Sequence, residues 1–283
     1  MNHIPVLLNE VLQTLDDING KTIVDCTFGA GGYSRAFLEC GANVIAFDRD
    51  ATVAPIAEKL ANEFPGKFQF INEPFSEIIN HKSEIIDAIV FDLGISSMQI
   101  DTPERGFSFR FDATLDMRMG NAPHTAAELI ENSTVAELAR ILADYGDVKK
   151  AGPIARAMKD TLPTTTFELR DLIHNPKDIA PVFQALRIAV NDEMGEIESA
   201  LAAVPELLKP DGICAIVTFH SLEDRLVKNT FREWTTSPGD PRLPITIAAP
   251  FKLLKTFTPS DAELSHNPRA RSAHLRAVRK ISH

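Results

Sequence analysis

Ile23-Val24-Asp25-Cys26-Thr27-Phe28-Gly29-Ala30-Gly31-Gly32, followed by Val44-Ile45-Ala46-Phe47-Asp48, is the stretch on which the fold turns. An apolar strand runs into a glycine loop, a helix follows, and a second strand ends on an acid 23 positions after Asp25. A Rossmann-like sheet holds an adenosyl group with this layout: glycines let a ligand approach the backbone, and the acid accepts hydrogen bonds from ribose hydroxyls. The spacing Gly29-Ala30-Gly31-Gly32 lacks the Gly-x-Gly-x-x-Gly arrangement that seats a pyrophosphate on a helix end. A nicotinamide dinucleotide is therefore disfavoured, and S-adenosylmethionine, an adenosyl cofactor without pyrophosphate, fits better.

Further strand candidates lie at 68–72 and 87–92, after those at 21–26 and 43–47. Strand alternating with helix predicts a parallel sheet whose right-handed crossovers bring the C-terminal strand ends to one edge. The glycine loop, Asp48, Glu73-Pro74-Phe75 and Asp92 all fall at such ends, where open α/β sheets bind ligands. Ahead of the first strand, Leu8, Val11, Leu12 and Leu15 repeat at helical spacing.

The pattern changes after Asp112. Thr125-Ala-Ala-Glu128, Thr134-Val-Ala-Glu137 and Thr165-Thr-Phe-Glu168 each read as a capping box. Leu138, Ile141, Leu142 and Tyr145 form the stripe of one helix, and Ala151, Ile154, Ala155 and Met158 mark another. The expected organisation is a discontinuous catalytic domain, 1–112 with 181–283, interrupted by a helical insertion at 113–180. A long helix is expected over roughly 182–208, and then Gly212-Ile-Cys-Ala-Ile-Val-Thr-Phe219 returns to a strand pattern. Weaker strand candidates follow at 245–249, 252–257 and 275–280, with a loop from Pro238 to Pro250.

The 283 residues carry a formal charge of −10, which argues against tight, non-specific binding to naked nucleic acid. From His266 to His283, however, Arg269, Arg271, Arg276, Arg279 and Lys280 occur with no acid. Cys26, Cys40 and Cys214 are few and widely spaced, which suits reduced cytoplasmic thiols better than disulfides or a metal site. His81, His124 and His174 are isolated, so no metal centre is expected. No apolar run approaches a membrane span, and Met1-Asn2-His3-Ile4-Pro5 does not resemble a signal peptide.

Two constellations sit at strand ends. Asp92-Leu93-Gly94-Ile95-Ser96-Ser97 brings a carboxylate and two hydroxyls to the expected ligand crevice, or caps a helix or turn. Phe219-His220-Ser221-Leu222-Glu223-Asp224-Arg225 places a histidine and two acids within five residues. A helix start, with Ser221 as cap and both acids favoured by the dipole, accounts for the acids but not for His220 or Arg225. The Gly-x-Ser-x-Gly elbow of a serine hydrolase and the phosphate-binding P-loop are both absent.

Taken together, these segments closely resemble the bacterial small-subunit ribosomal RNA cytosine-N4 methyltransferases (the RsmH/MraW family). The resemblance runs through His3-Ile-Pro-Val-Leu-Leu8, Asp25-Cys-Thr-Phe-Gly-Ala-Gly-Gly32, Ala46-Phe-Asp-Arg-Asp50, Asp92-Leu-Gly-Ile-Ser-Ser97 and Arg105-Gly-Phe-Ser-Phe109. It continues through Leu115-Asp-Met-Arg-Met119, Phe183-Gln-Ala-Leu-Arg-Ile188, Phe219–Arg225 and Asn267-Pro-Arg-Ala-Arg-Ser272. It implies a class I methyltransferase fold, a mostly parallel seven-stranded sheet with an inserted all-helical domain. It further implies S-adenosylmethionine as cofactor and, as target, a cytidine in the decoding region of 16S ribosomal RNA, at the P site. In the family pattern, cofactor contacts fall on Gly31, Gly32, Tyr33, Asp48, Phe75, Asp92 and Gln99. Asp92, His220 and Asp224 are the candidates for handling the proton of the amine, and Arg110, Arg225, Arg269 and Arg271 for meeting phosphate.

Tyr33 stands where members commonly have His, the insertion is short, and Asp178-Ile-Ala-Pro-Val182 replaces a Thr-Arg-Thr found in many members. The Pro-Pro-aromatic sequence of DNA amino-methyltransferases is absent after Asp92. The acidic surface favours an assembled small subunit, in the cytoplasm, as the partner. No obligate protein partner is evident, and a homodimer stays open. The competing readings are a methyltransferase on DNA or a small amine, and a non-catalytic ribosome-assembly factor.

Overall fold

The computed structural model describes residues 5–81, 86–237 and 248–282. The segment 1–4, much of the loop expected from Pro238, and positions 245–247 of the weak strand candidate lie outside the described residues. By internal packing the chain separates into two units, 1–94 with 196–283 and 95–195.

In chain order the elements begin with α1 (Leu8–Leu15), β1 (Thr22–Asp25), α2 (Gly32–Glu39), β2 (Asn43–Phe47), α3 (Ala54–Glu63), β3 (Phe68–Ile71) and β4 (Ile86–Asp92). Then come α4 (Ser97–Ile100), α5 (Ala126–Asn132), α6 (Val135–Gly146), α7 (Ala151–Thr161), α8 (Thr166–Asp171), α9 (Pro176–Asn191) and α10 (Glu193–Leu207). The chain closes with β5 (Leu208–Thr218), α11 (Ser221–Trp234), β6 (Phe251–Leu253), α12 (Asp261–His266) and β7 (His274–Lys280).

Among the described residues seven strands form one sheet in the order β3-β2-β1-β4-β5-β7-β6. β1 to β5 are mutually parallel, whereas β7 runs antiparallel between β5 and β6. Strand order reverses at β1 and β4, the switch point at which doubly wound sheets bind their ligands. The central strands are continuous apolar runs: Ile23, Val24, Ile89, Val90, Phe91 and Ile213–Val217 are all buried. Such runs are what a sheet covered on both faces requires. Phe37 and Leu38 of α2 and Val11 and Leu15 of α1 join the same core as Ile23, Val44 and Ala88.

Unit 95–195 has a core of its own. Leu138 and Leu142 of α6, Ala155 and Met158 of α7, and Val182, Ala185 and Leu186 of α9 pack together with Leu115 and Met117. All three expected capping boxes are present: Thr125, Thr134 and Thr165 each cap a helix, with Glu128, Glu137 and Glu168 answering from the third helical position.

One expectation needs correction. The single helix over 182–208 is two helices, because Asp192 adopts a left-handed conformation (φ 48°) that ends α9 before α10 starts. The second packing unit, 95–195, reaches further at both ends than the expected insertion at 113–180. Asn191, at the end of α9, supplies part of the reason. Its Oδ1 accepts from Met119 N at 2.6 Å, and its Nδ2 donates to Met117 O at 2.8 Å and Arg187 O at 2.9 Å. The segment before α5 and the end of α9 are thereby tied together. Of the weak C-terminal strands, 275–280 corresponds to β7, while 252–257 contributes only the end of β6 and a lone bridge from Phe257 to Leu275.

Replacing Asn191 by Ala strands buried backbone groups at Met117 and Met119, so it is expected to cost about 2–4 kcal/mol of stability. Thr134→Ala, which removes only an exposed cap, is expected to cost roughly 1 kcal/mol. Denaturant unfolding of the two variants checks the ranking.

Candidate active site

The glycine loop starts from a buried acid. Asp25, at the end of β1, accepts from Ser34 Oγ at 2.6 Å and from Thr27 N at 3.1 Å. Burial pushes its carboxyl up to about 6, with the hydrogen bond from Ser34 working in the opposite direction. Thr27 in turn accepts from Asp92 N at 2.7 Å through its hydroxyl. The ends of β1 and β4 are thus locked to each other and to the first turns of α2. Sequence reading did not single out Thr27; the signal was a hydroxyl placed two residues after a strand-ending acid.

Gly31 caps α2 with φ +74°, and a Cβ there would meet the Phe28 ring at 3.0 Å. Both features demand glycine, and they leave the backbone open at the start of α2. Gly32 has a different reason. A Cβ on it would overlap the Pro5 ring, so this glycine admits the segment that precedes α1. Tyr33 is buried at 3% exposure, and its hydroxyl donates to Val6 O, fastening the same segment. Its side chain is thereby committed to packing, which leaves its main chain as the part that a ligand at the loop could meet.

Asp48, at the end of β2, accepts from Gly29 N at 2.8 Å through Oδ2 and from Asp50 N at 2.9 Å through Oδ1. Burial raises its pKa above the ordinary carboxylate value. Each oxygen keeps a second lone pair, so the acid can still accept from a pair of hydroxyls. Phe75 opens a short helical turn after β3 and stands edge-on to Phe91 of β4, with ring centroids 5.6 Å apart.

Asp92 ends β4. Its Oδ1 is buried and accepts no hydrogen bond. Burial, reinforced by the charges of Asp25 and Glu223, holds its pKa well above the usual range. A buried oxygen of this kind is costly unless a ligand satisfies it. An unpaired acid beside an open glycine loop suits a cationic adenosyl ligand, so the residues present fit S-adenosylmethionine.

The second constellation is arranged differently from its sequence reading. The cap of α11 is His220, not Ser221: His220 Nδ1 accepts from Glu223 N at 3.4 Å. Glu223 Oε2 accepts from Phe219 N at 2.8 Å and from His220 N at 3.2 Å. Asp224 is taken up by Arg276 of β7, which donates to it at 2.7 and 3.0 Å. That ion pair lowers the Asp224 pKa below the ordinary value. A carboxylate held so is a weak base, so of the motif's two acids it is the buried Glu223, at 1% exposure, that remains for chemistry.

Among the basic candidates, Arg225 of α11 and Arg269 and Arg271, on the turn before β7, are exposed. Arg276 and Lys280 are structural: Lys280 donates to Pro205 O and Leu208 O, both at 2.7 Å. In unit 95–195, Arg110 is exposed, its N donating to Ser108 Oγ at 3.3 Å. Gln99 is buried there, its Oε1 accepting from Ser96 N at 3.1 Å. Cys26, Cys40 and Cys214 are free thiols. Among the described residues no helix is long and apolar enough to cross a membrane.

A sheet of order 3-2-1-4-5-7-6 with an antiparallel seventh strand, a glycine loop after β1 and acids closing β2 and β4 define a class I S-adenosylmethionine-dependent methyltransferase. The chain belongs to the MraW methylase family, whose family model matches residues 1–281. It is 47% identical to the ribosomal RNA small subunit methyltransferase H of Chelativorans sp. (strain BNC1), over 99% of this chain and 88% of that protein. It is 44% identical to the protein of the same name from Rhizobium meliloti (strain 1021), over 98% of this chain and 87% of that one. The corresponding protein of Caulobacter vibrioides (strain NA1000 / CB15N) is 45% identical, over 98% and 94% respectively.

The Asp224–Arg276 pair gives a pH signature. Because the native pKa of Asp224 is depressed, the stability it contributes is fully present above the unfolded value of 3.8 and is lost as pH falls through the native one. Asp224→Asn is expected to be less stable than wild type at neutral pH, with the difference closing on acidification below 3.8. Unfolding curves at a series of pH values read this directly.

Proposed function

We propose that the protein methylates N4 of a cytidine in the decoding region of 16S ribosomal RNA, at the P site, acting on the assembled small ribosomal subunit. The observation that carries the reading is similarity at 44–47% identity, over 98–99% of this chain and 87–94% of the relatives, to proteins named ribosomal RNA small subunit methyltransferase H. The site supports it: Asp48 and Asp92 close β2 and β4, while Arg225, Arg269 and Arg271 are exposed on the same unit.

In this reading the start of α2, with Gly31, Gly32 and the main chain of Tyr33, takes the methionine part of the cofactor. Asp48 accepts from the ribose hydroxyls, and Phe75 lies against the adenine. Asp92 Oδ1 gains the partner it otherwise lacks. Bound S-adenosylmethionine supplies a methyl group already activated on a sulfonium centre. The protein's remaining tasks are to align the amine in line with that methyl and to exclude water, which together supply much of the rate. The cytosine N4 lone pair is delocalised into the ring, so an acceptor on the amine hydrogen helps it pyramidalise and lose a proton. To reach a pocket at the sheet edge the base leaves its stack. The arginines meet phosphate, and the net charge of −10 makes shape recognition of an assembled particle matter more than charge.

Mass spectrometry of ribosomal RNA from cells lacking the protein is expected to show loss of N4-methylcytidine; its retention overturns the reading. Purified protein is expected to label small subunits far better than naked ribosomal RNA, and equal labelling of the two would overturn the assembled-particle requirement. Labelling of DNA or a small amine instead would assign the enzyme another acceptor.

Asp92 adds a third test. A cation lowers the raised pKa of a neighbouring acid, so cofactor binding releases a proton and affinity rises with pH through the titration of free Asp92. Asp92→Asn is expected to weaken cofactor binding by about 10–100-fold, the worth of a hydrogen bond to a charged group, and to flatten this pH dependence. Titration calorimetry in buffers of different ionisation enthalpy measures both effects.

A further inference from the structure

Glu223 and His220 were accounted for above as a helix cap, but the cap uses only half of each side chain. Glu223 spends Oε2 on the two backbone N–H groups, and His220 spends Nδ1 on Glu223 N. Glu223 Oε1 and His220 Nε2 remain, both buried and both without a hydrogen-bond partner. They stand 2.9 Å apart, outside hydrogen-bond alignment with each other. Asp92 Oδ1, at the end of β4, is another such atom. A Cβ on Gly94, two residues beyond Asp92, would lie 3.8 Å from Glu223 Oε1, which places the glutamate beside the exit of β4. The charge of Glu223 is also felt at Asp92. Buried polar atoms are seldom left unsatisfied, and several of them beside the exit of β4 call for a partner.

The chemistry of these two atoms is fixed by the cap. Nδ1 accepts a hydrogen bond, so the neutral ring carries its proton on Nε2 and donates there. Glu223 Oε1 is an acceptor. A donor and an acceptor side by side match the edge of cytosine, whose N3 accepts and whose N4 amine donates. Uracil presents the reverse order, an N3–H donor beside the O4 acceptor.

We infer that His220 Nε2 and Glu223 Oε1 read the Watson–Crick edge of the target cytosine, and that Glu223 takes the proton released from N4. This inference rests on the cytosine-N4 reading above. As the N4 lone pair forms its bond to the transferred methyl, the methyl–sulfur bond breaks with its electron pair left on sulfur, and one amine proton passes to Glu223 Oε1. The roles expected from sequence for His220 and Asp224 are thereby redistributed: His220 orients the base, and Glu223 replaces Asp224 as acceptor.

Two variants test this. Glu223→Gln keeps an oxygen for the backbone amides but removes the basic carboxylate. His220→Ser keeps a good helix cap and removes the imidazole donor. The first readout involves no turnover: dissociation constants for cytidine and uridine 5′-monophosphates, measured by NMR titration with S-adenosylhomocysteine present. Wild type is expected to favour the cytidine nucleotide by about tenfold, in line with a well-made edge-reading pair, and each variant to lose that preference. Equal binding of the two nucleotides by wild type, binding of neither, or a preference retained in both variants overturns the recognition. The second readout is single-turnover methyl transfer on small subunits. Glu223→Gln is expected to slow it by about 10²–10⁴-fold, as loss of a general base does; a rate within tenfold of wild type overturns the proton role. Should Glu223→Gln fail to fold, His220→Ser carries the binding test, and Glu223→Asp, which keeps the acid but retracts it, carries the rate test with a loss of at least about tenfold expected. Digestion of the wild-type product separates the two levels. A product other than N4-methylcytidine overturns the substrate reading together with this inference, whereas N4-methylcytidine made at full rate by Glu223→Gln overturns the Glu223 assignment alone.

Discussion

The carboxyl of Asp25 is the constraint on which the ligand edge of the sheet depends. It is 1% exposed, and its two oxygens are taken by Thr27 N and Ser34 Oγ. These bonds join the end of β1, the glycine loop and the first turn of α2 into one rigid piece. Thr27 extends the piece to β4 by accepting from Asp92 N. A carboxyl whose native pKa is raised to about 6 from 3.8 binds more protons in the folded state, so it erodes stability as pH rises across that window. The fold tolerates this cost because no neutral side chain of that size offers two acceptor oxygens at one point.

The same desolvation explains why acids gather where a cation is expected. Asp25 and Glu223 add to the cost that burial sets on ionising Asp92. A positively charged ligand reverses the sign of that interaction, so a site that is strained when empty of charge becomes favourable when one enters. The protein separates its charges accordingly. Acids close β2 and β4, while Arg225, Arg269 and Arg271 are exposed on α11 and on the turn before β7. Arg276 and Lys280, by contrast, serve the fold.

Local chemistry was legible in the sequence and tertiary commitment was not. Periodicity and capping boxes located β1, β2, β4 and the helices at Thr125, Thr134 and Thr165, because in each the apolar pattern and the end signal agree. The break at Asp192 was hidden, since a left-handed aspartate leaves no mark in an apolar stripe that continues beyond it. The extent of the second unit was hidden too, because it depends on Asn191 reaching back to Met117 and Met119, more than 70 residues away. At the site, Asp48 and Asp92 could be read as acids at strand ends. The packing partners of Tyr33, Gly32 and Asp224, namely Val6, Pro5 and Arg276, are distant in sequence or belong to another element, so the motifs alone do not show these contacts. For Glu223 the sequence offers both a helix-dipole acid and a proton acceptor, and it cannot show that only one of the two oxygens is occupied.

The strand order also dictates a sequence of events during synthesis. β1 to β4 are complete by Asp92, but β4 pairs next with β5, which begins only at Leu208. At 5–20 residues per second the ribosome needs roughly 6–25 s to deliver the intervening chain. Throughout that interval the open edge of β4 is a template for mispairing. Unit 95–195 can bury its own core in the meantime, so the nascent chain waits with one finished helical body and one half-built sheet. β5 then waits again for β7, whose first residue lies 56 positions beyond Thr218. The nascent chain therefore depends on protection of two successive strand edges before the sheet closes.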